Sequence, residues 1–95
     1  MKGAVFNRCN LRRVKLAGAD LEASTFSRCD LSKADLTKVT ARLSDWTDSD
    51  LRGAELTDGK FLDSNFLRAD LTDAKLAGAD TAGSSFTDAR GAGLT

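Results

Sequence analysis

The sequence predicts a single all-β domain, a parallel β-helix coiled as a square solenoid of about four and a half rungs, with four five-residue edges in each rung. Three observations predict it. Large apolar residues recur at every fifth position, small residues recur two positions before each of them, and aromatic residues recur every 20 positions. Such a repeat dictates the architecture of the whole chain, because every copy must bury the same face against its neighbours.

The five-residue period covers residues 4–93, and we number its positions one to five, with the small residue first and the large residue third. Fifteen of the eighteen third positions, from Phe6 to Gly91, are Leu, Phe or Trp. All eighteen first positions, from Ala4 to Ala89, are Ala, Ser, Cys, Val or Gly. A helix would spread this period around its axis. In an extended segment, residues two apart point to the same side, so each repeat predicts a short edge followed by a bend.

Aromatic residues predict how many edges close one rung. Five of the six aromatics are spaced by 20, which is four repeats, so residues 20 apart should stack. The predicted core combines this aromatic column with two leucine columns: Phe6, Phe26, Trp46, Phe66, Phe86, Leu11, Leu31, Leu51, Leu71, Leu16, Leu36, Leu56 and Leu76.

The fourth column is less regular, and its side-chain volumes compensate one another. Where the third position shrinks to Ala41, the first position grows to Val39. Where the third position holds Phe61, the first position is reduced to Gly59. Because cores tolerate exchanges that conserve volume, this compensation predicts that both positions point inward.

The repeat reads A(D/N)LXX and is best seen in AGADL, CDLSK, ADLTK, SDLRG and ADLTD. It resembles the pentapeptide-repeat protein family over essentially the whole chain. The resemblance implies a right-handed quadrilateral β-helix filled by the small and large positions. It also implies two kinds of function: some members protect DNA gyrase from quinolones by resembling a DNA duplex, whereas most, many of them bacterial, have no assigned activity.

Composition limits the function classes. Lysine and arginine number 14, as do aspartate and glutamate, so no bulk attraction to nucleic acid or acidic membranes is indicated. No apolar run has the length of a membrane span or signal peptide, and we expect a cytoplasmic protein. Because histidine is absent and no nucleophile and base pair is recognisable, we expect no enzyme, no cofactor and no metal.

Acidic residues of the second position have two interpretations, as acid–base groups or as turn residues. They are Asp20, Asp30, Asp35, Asp45, Asp50, Asp70 and Asp80. A short carboxylate suits a tight turn, where it accepts bonds from nearby backbone N–H groups. Since these residues follow the repeat, the sequence favours the turn role.

Cys9 and Cys29 both occupy the first position, 20 residues apart, so they should stack inward in adjacent rungs. A metal site would need further ligands. Stacked neighbours come within the Cα range of a disulfide, but a cytoplasmic chain would keep them reduced. We therefore expect two buried, slowly reacting thiols that act as small apolar residues.

Glycines recur at the fifth position, where the bend is expected. They are Gly18, Gly53, Gly78, Gly83 and Gly93. A corner with positive φ explains them. A phosphate-binding loop does not, because it requires a strand that leads into a helix.

Charge is distributed unevenly along the chain. Residues 1–43 carry nine basic and four acidic side chains, and residues 44–95 carry five basic and ten acidic ones. A solenoid maps sequence onto height, so this asymmetry predicts an axial charge dipole. The candidate interaction surface comprises Arg8, Arg28, Arg13 and Lys33 near the N-terminal end, and Asp45, Asp48, Asp50 and Asp58 in the third rung.

These observations predict a non-enzymatic structural or protein-interaction module with a protein partner. The alternative is a DNA-mimicking modulator or protector of gyrase, although such a mimic should be acidic along most of its length. Nucleic acid is not an expected partner, because no aromatic residue is predicted to face outward for base stacking.

The pattern decays at the C-terminal end, where Thr81 and Gly91 replace large residues and only Leu94 could fold over Phe86. An open end exposes core and unpaired strand edges. Family members commonly dimerise through their C-terminal ends, so the resemblance implies a homodimer there. The axial charges would instead favour head-to-tail stacking.

Overall fold

Every β pairing in the computed structural model, which describes residues 2–91, joins residues 20 positions apart. The strands β1 (Val5–Asn7) and β2 (Thr25–Ser27) pair in parallel, with Phe6 opposite Phe26. Single parallel bridges continue this register through the other edges, up to the pair of Asp70 and Arg90. Four edges therefore make one rung.

Regular strands are short, as expected for five-residue edges. Among the described residues only β1 and β2 reach three residues, and every other edge pairs through one bridge at the second position. The reason is the corner, which interrupts the ladder after every repeat.

Each corner places its fifth-position residue in the left-handed region of φ. The glycines there have φ from +66° at Gly53 to +73° at Gly18, whereas Gly93 lies outside the described residues. Other residue types adopt the same conformation: Arg8, Arg13, Ala23, Arg28, Lys33, Lys38, Leu43, Asp48, Asp58, Asp63, Arg68, Asp73 and Asp88. A positive φ at the third residue of a four-residue turn is the signature of a type II turn. The repeat therefore enforces the turn and does not require a glycine at the corner.

Backbone hydrogen bonds use four of the five N–H groups in most interior repeats. The third and fifth positions donate to the next rung, as Leu51 N does to Asp70 O (2.8 Å). The second position donates to the previous rung, as Asp50 N does to Cys29 O (2.9 Å), and the first closes the turn, as Ala54 N does to Leu51 O (3.0 Å). The fourth-position N–H is left to a side chain or to water, and at one first position Ser64 N donates to Ser84 Oγ (2.9 Å).

The core fills the coil with the first and third positions. The middle rungs bury their large residues almost completely: Leu21, Phe26, Leu31, Leu36, Trp46, Leu51, Leu56, Phe61, Phe66 and Leu71. The outer rungs cover theirs on one side only, so the other large residues of the predicted columns are partly buried: Phe6, Leu11, Leu16, Leu76 and Phe86.

Aromatic rings stack along the axis. The centroid of Trp46 lies 4.5 Å from that of Phe26 and 6.0 Å from that of Phe66, with interplanar angles of 8° and 6°. Phe61, from the fourth column, meets Trp46 and Phe66 edge-on at 5.9 and 5.8 Å. Ala41, one rung below Phe61 in its column, is fully buried, as the volume compensation predicts.

Candidate interaction surface

The carboxylates of the second position bind the backbone of their own repeat. Asp30 Oδ1, for example, accepts hydrogen bonds from Ser32 N (3.0 Å) and Ser32 Oγ (2.6 Å). The same backbone bond forms at all the aspartates of this position: Asp20, Asp30, Asp35, Asp45, Asp50, Asp70 and Asp80. Each bond satisfies the fourth-position N–H that the coil leaves free. The predicted turn role is confirmed.

Five exposed cations form what we call the basic surface: Arg8, Arg12, Arg13, Arg28 and Lys33. Arg8 and Arg28 occupy one corner column and Arg13 and Lys33 the next, with one rung of roughly 4.8 Å between the members of each pair. No ion pair within residues 2–91 includes any of the five. The five cations are therefore free of close ion pairs in the described structure.

Arg12 belongs to this surface although the stacked columns of the sequence do not single it out. With Lys33 and Ser32 it lines a shallow depression of about 450 Å³. The remaining lining residues are Asp30, Arg52, Gly53 and Asp73. Arg12 occupies the fourth position of its repeat and therefore lies on the edge between the two basic corner columns.

Two of the predicted acidic residues are paired with arginines. Asp48 accepts two bonds from Arg68, at 2.7 and 3.0 Å, and Asp50 accepts two from Arg52, at 2.8 and 2.6 Å. These hydrogen bonds hold the pKa of both carboxyls below their usual value. Together with Asp70, Asp88 and Arg90 they line a shallow depression of about 650 Å³. Its charge is mixed rather than acidic.

The other two predicted acidic residues lie elsewhere on the rung. Asp45 is on the preceding edge, where it accepts a bond from Thr47 N (3.0 Å). Asp58 is exposed at a corner two repeats beyond the corner of Asp48. The third rung therefore presents separate carboxylates, and the structure does not bring the four together.

One expectation about the cysteines is wrong. Cys29 is buried, and desolvation raises the pKa of its thiol. Cys9 is only partly buried, because it lies in the first rung, where the coil covers it on one side. The inward position is right for both residues, but only Cys29 has the expected inaccessible thiol.

The structure contains a column of buried serines that the sequence interpretation did not identify. Trp46 Nε1 donates to Ser44 Oγ (2.6 Å), and both Ser44 Oγ and Ser64 Oγ bond to Ala41 O, at 2.6 and 2.8 Å. The same column contains Ser84, whose hydroxyl bonds Phe61 O. The available signal was a serine two residues before each of four aromatics of the 20-residue spacing, at positions 24, 44, 64 and 84.

Comparison with known families decides what this coil is. A model described as pentapeptide repeats, in 8 copies, matches residues 4–40, 29–68 and 64–93. The chain belongs to the pentapeptide-repeat family. The predicted fold class, an all-β right-handed parallel β-helix, is therefore confirmed.

Solved pentapeptide-repeat structures resemble this family member closely in fold. A pentapeptide repeat protein from the thylakoid lumen of Arabidopsis thaliana is 25% identical, with a TM-score of 0.90 over 93% of this chain and 61% of that one. Trypsin-treated QnrB1, described as a plasmid-mediated fluoroquinolone resistance protein, is 25% identical, with a TM-score of 0.68 over 90% of this chain and 49% of that one. The chain therefore spans less than two thirds of either structure. No curated protein sequence matches it significantly.

The described part of the pentapeptide-repeat coil contains neither a membrane span nor a metal cluster. No helix among residues 2–91 has the length and apolarity needed to cross a membrane. Over the same residues, no group of three or more potential ligands among Cys, Asp and Glu is placed to hold a metal ion. The basic surface is the strongest candidate for an interaction site.

Proposed function

We propose that the chain is a non-catalytic, cytoplasmic protein-interaction module whose basic surface binds an acidic segment of a partner protein. Family membership supports a structural or interaction role. The observation that carries the proposal is the set of five exposed cations without an ion pair in the described structure. Unpaired surface charge of one sign steers and orients partners of the opposite sign.

An acidic protein segment fits this surface better than nucleic acid does. The basic surface is two rungs high, about 10 Å at the usual strand spacing. Above it, on the same face, come Asp48, Asp50 and Asp70. A long polyanion aligned with the axis would run from the basic surface onto this region of mixed charge, where Asp48 and Asp50 are already paired with arginines. Trp46 and the phenylalanines point inward, so single strands have no ring to stack on.

We expect Arg8→Glu/Arg28→Glu to bind a fluorescent oligoglutamate peptide about tenfold more weakly than the wild type at low salt. The estimate assumes two lost ion pairs of about 0.5–1 kcal/mol each. Fluorescence anisotropy at two salt concentrations would measure the affinity. Lys38→Glu/Lys60→Glu is the matched control, because both lysines are exposed and lie outside the basic surface. Equal losses in the two variants, or tighter binding of duplex DNA than of peptide, would contradict the proposal.

DNA mimicry at gyrase is the second candidate, and the likeness to QnrB1 favours it. The charges weigh against it, because Arg68 and Arg52 neutralise Asp48 and Asp50, and the first two rungs are basic. We expect no protection of gyrase in a supercoiling assay that contains a quinolone. Sparing of the enzyme at near-stoichiometric protein would reverse the order of the two candidates.

A further inference from the structure

Cys9 and Cys29 are the two nucleophilic side chains that the interaction surface does not use. They stack in one column of the coil, between the in-register pair Asn7 and Ser27 and the bridge that joins Asn10 to Asp30. Asp30 N also bonds the carbonyl of Cys9 at 2.9 Å. The backbone therefore fixes the two cysteines one rung apart.

That spacing suits a covalent bond between them. Rungs of a parallel β structure are separated by roughly 4.8 Å, and disulfides join Cα atoms about 4.4–6.8 Å apart. Cys29 Sγ already leans toward the first rung, because it contacts Phe6 O at 3.3 Å. Since Phe6 and Cys9 belong to the same rung, the sulfur of Cys29 faces the rung that a disulfide would join to its own.

The two thiols differ in access. Cys9 is partly exposed, and its Sγ makes a long contact of 3.6 Å with Asn7 O. Cys29 is 2% exposed, and its Sγ is held by Phe6 O and Ser27 O. Reagents from solvent therefore reach Cys9 first, and Cys29 is reached through Cys9.

We propose that Cys9 and Cys29 form a thiol–disulfide site, at which a small disulfide of the glutathione type joins the first two rungs. The thiolate of Cys9 attacks one sulfur of the oxidant, forms a mixed disulfide and releases the first thiol. The thiolate of Cys29 then attacks Cys9 Sγ, the mixed disulfide breaks, and the second thiol leaves. Two protein thiols are oxidised, one external disulfide is reduced to two thiols, and the two protons pass to the released thiolates.

The bond would close a loop between residues 9 and 29 and hold the first rung on the second. Cross-linking restricts the unfolded chain, and the Cα spacing of stacked rungs lies within the range that disulfides span. We expect the oxidised chain to melt about 5–10 °C above the reduced chain.

The test exposes the native chain to oxidised glutathione at about pH 8, where thiolates are present. Intact-mass spectrometry after acid quenching should show a monomer that has lost two hydrogen atoms and retains no glutathione. Cys29→Ser should instead keep glutathione on Cys9, and Cys9→Ser should remain unmodified because its one thiol is buried. Melting with and without dithiothreitol should show a reductant-dependent shift in the wild type alone.

Three results would overturn the proposal: a wild-type chain that retains glutathione on Cys9, a disulfide between two chains, or a disulfide that appears only in urea. The two single variants keep the outcome interpretable, because each removes one sulfur without removing a large core side chain. Unchanged melting on oxidation would contradict the predicted stabilisation.

Discussion

Phe66→Ala is expected to lower the free energy of unfolding by about 3–5 kcal/mol. The ring is 1% exposed, stacks on Phe86 at 4.8 Å and on Trp46 at 6.0 Å, and meets Phe61 edge-on. Its removal leaves a cavity that the flanking rungs cannot close, because each rung is held by bonds to the next. A loss of this size is a large share of the total stability of a small domain, about 5–15 kcal/mol.

Urea denaturation followed by tryptophan fluorescence would measure the change. Thr72→Ala is the control, since Thr72 is exposed and its hydroxyl bonds only Asp70 Oδ1 at the surface. We expect it to change stability by less than about 0.5 kcal/mol. If Phe66→Ala does not fold, Phe66→Leu should still unfold at lower urea than Thr72→Ala. Equal effects at the two positions would mean that the inward and outward assignments are wrong.

The period of the sequence predicts the inside of this coil because burial repeats with the chain. Phe26, Trp46 and Leu51 are fully buried at the positions that the five-residue period selects. The 20-residue spacing of the aromatics likewise predicts the register, as the pairing of Phe6 with Phe26 shows. A hydrophobic pattern predicts burial well where every repeat packs its apolar side chains in the same way.

Features that depend on spatial neighbours, and not on the five-residue period, were harder to predict from the sequence. Leu43 adopts φ of 60° at a corner although nothing in its residue type favours that conformation, because the bonds to both adjacent rungs impose it. Cys9 has the same position in the repeat as Cys29, but the end of the coil leaves it partly exposed. The arginine partners of Asp48 and Asp50 depend on side-chain reach, which the repeat does not encode.

Gly59→Ala is expected to destabilise the chain by about 2–3 kcal/mol, although it adds a single methyl group. A Cβ at this position would overlap Phe61 Cε2, and it would lie 3.1 Å from Leu56 O, which belongs to the backbone. The φ of Gly59 is not in the left-handed region, so alanine suffers no conformational strain there. The cost comes from the ring of Phe61, which is held between Trp46 and Phe66 and has little freedom to move.

The second variant, Gly59→Ala/Phe61→Leu, should recover at least half of that loss, measured in the same urea titration. The double variant gives the third rung the same two residues that the first rung has in this column, Ala19 and Leu21. Leu21 is fully buried. Two contacting positions whose volumes compensate should show a coupling of about 0.5–3 kcal/mol in a double-mutant cycle. Additive effects of the two substitutions, or a Gly59→Ala chain as stable as the wild type, would show that the two side-chain volumes are independent. The cost of a methyl group at position 59 depends on the side-chain size at position 61 only if both fill one interior space.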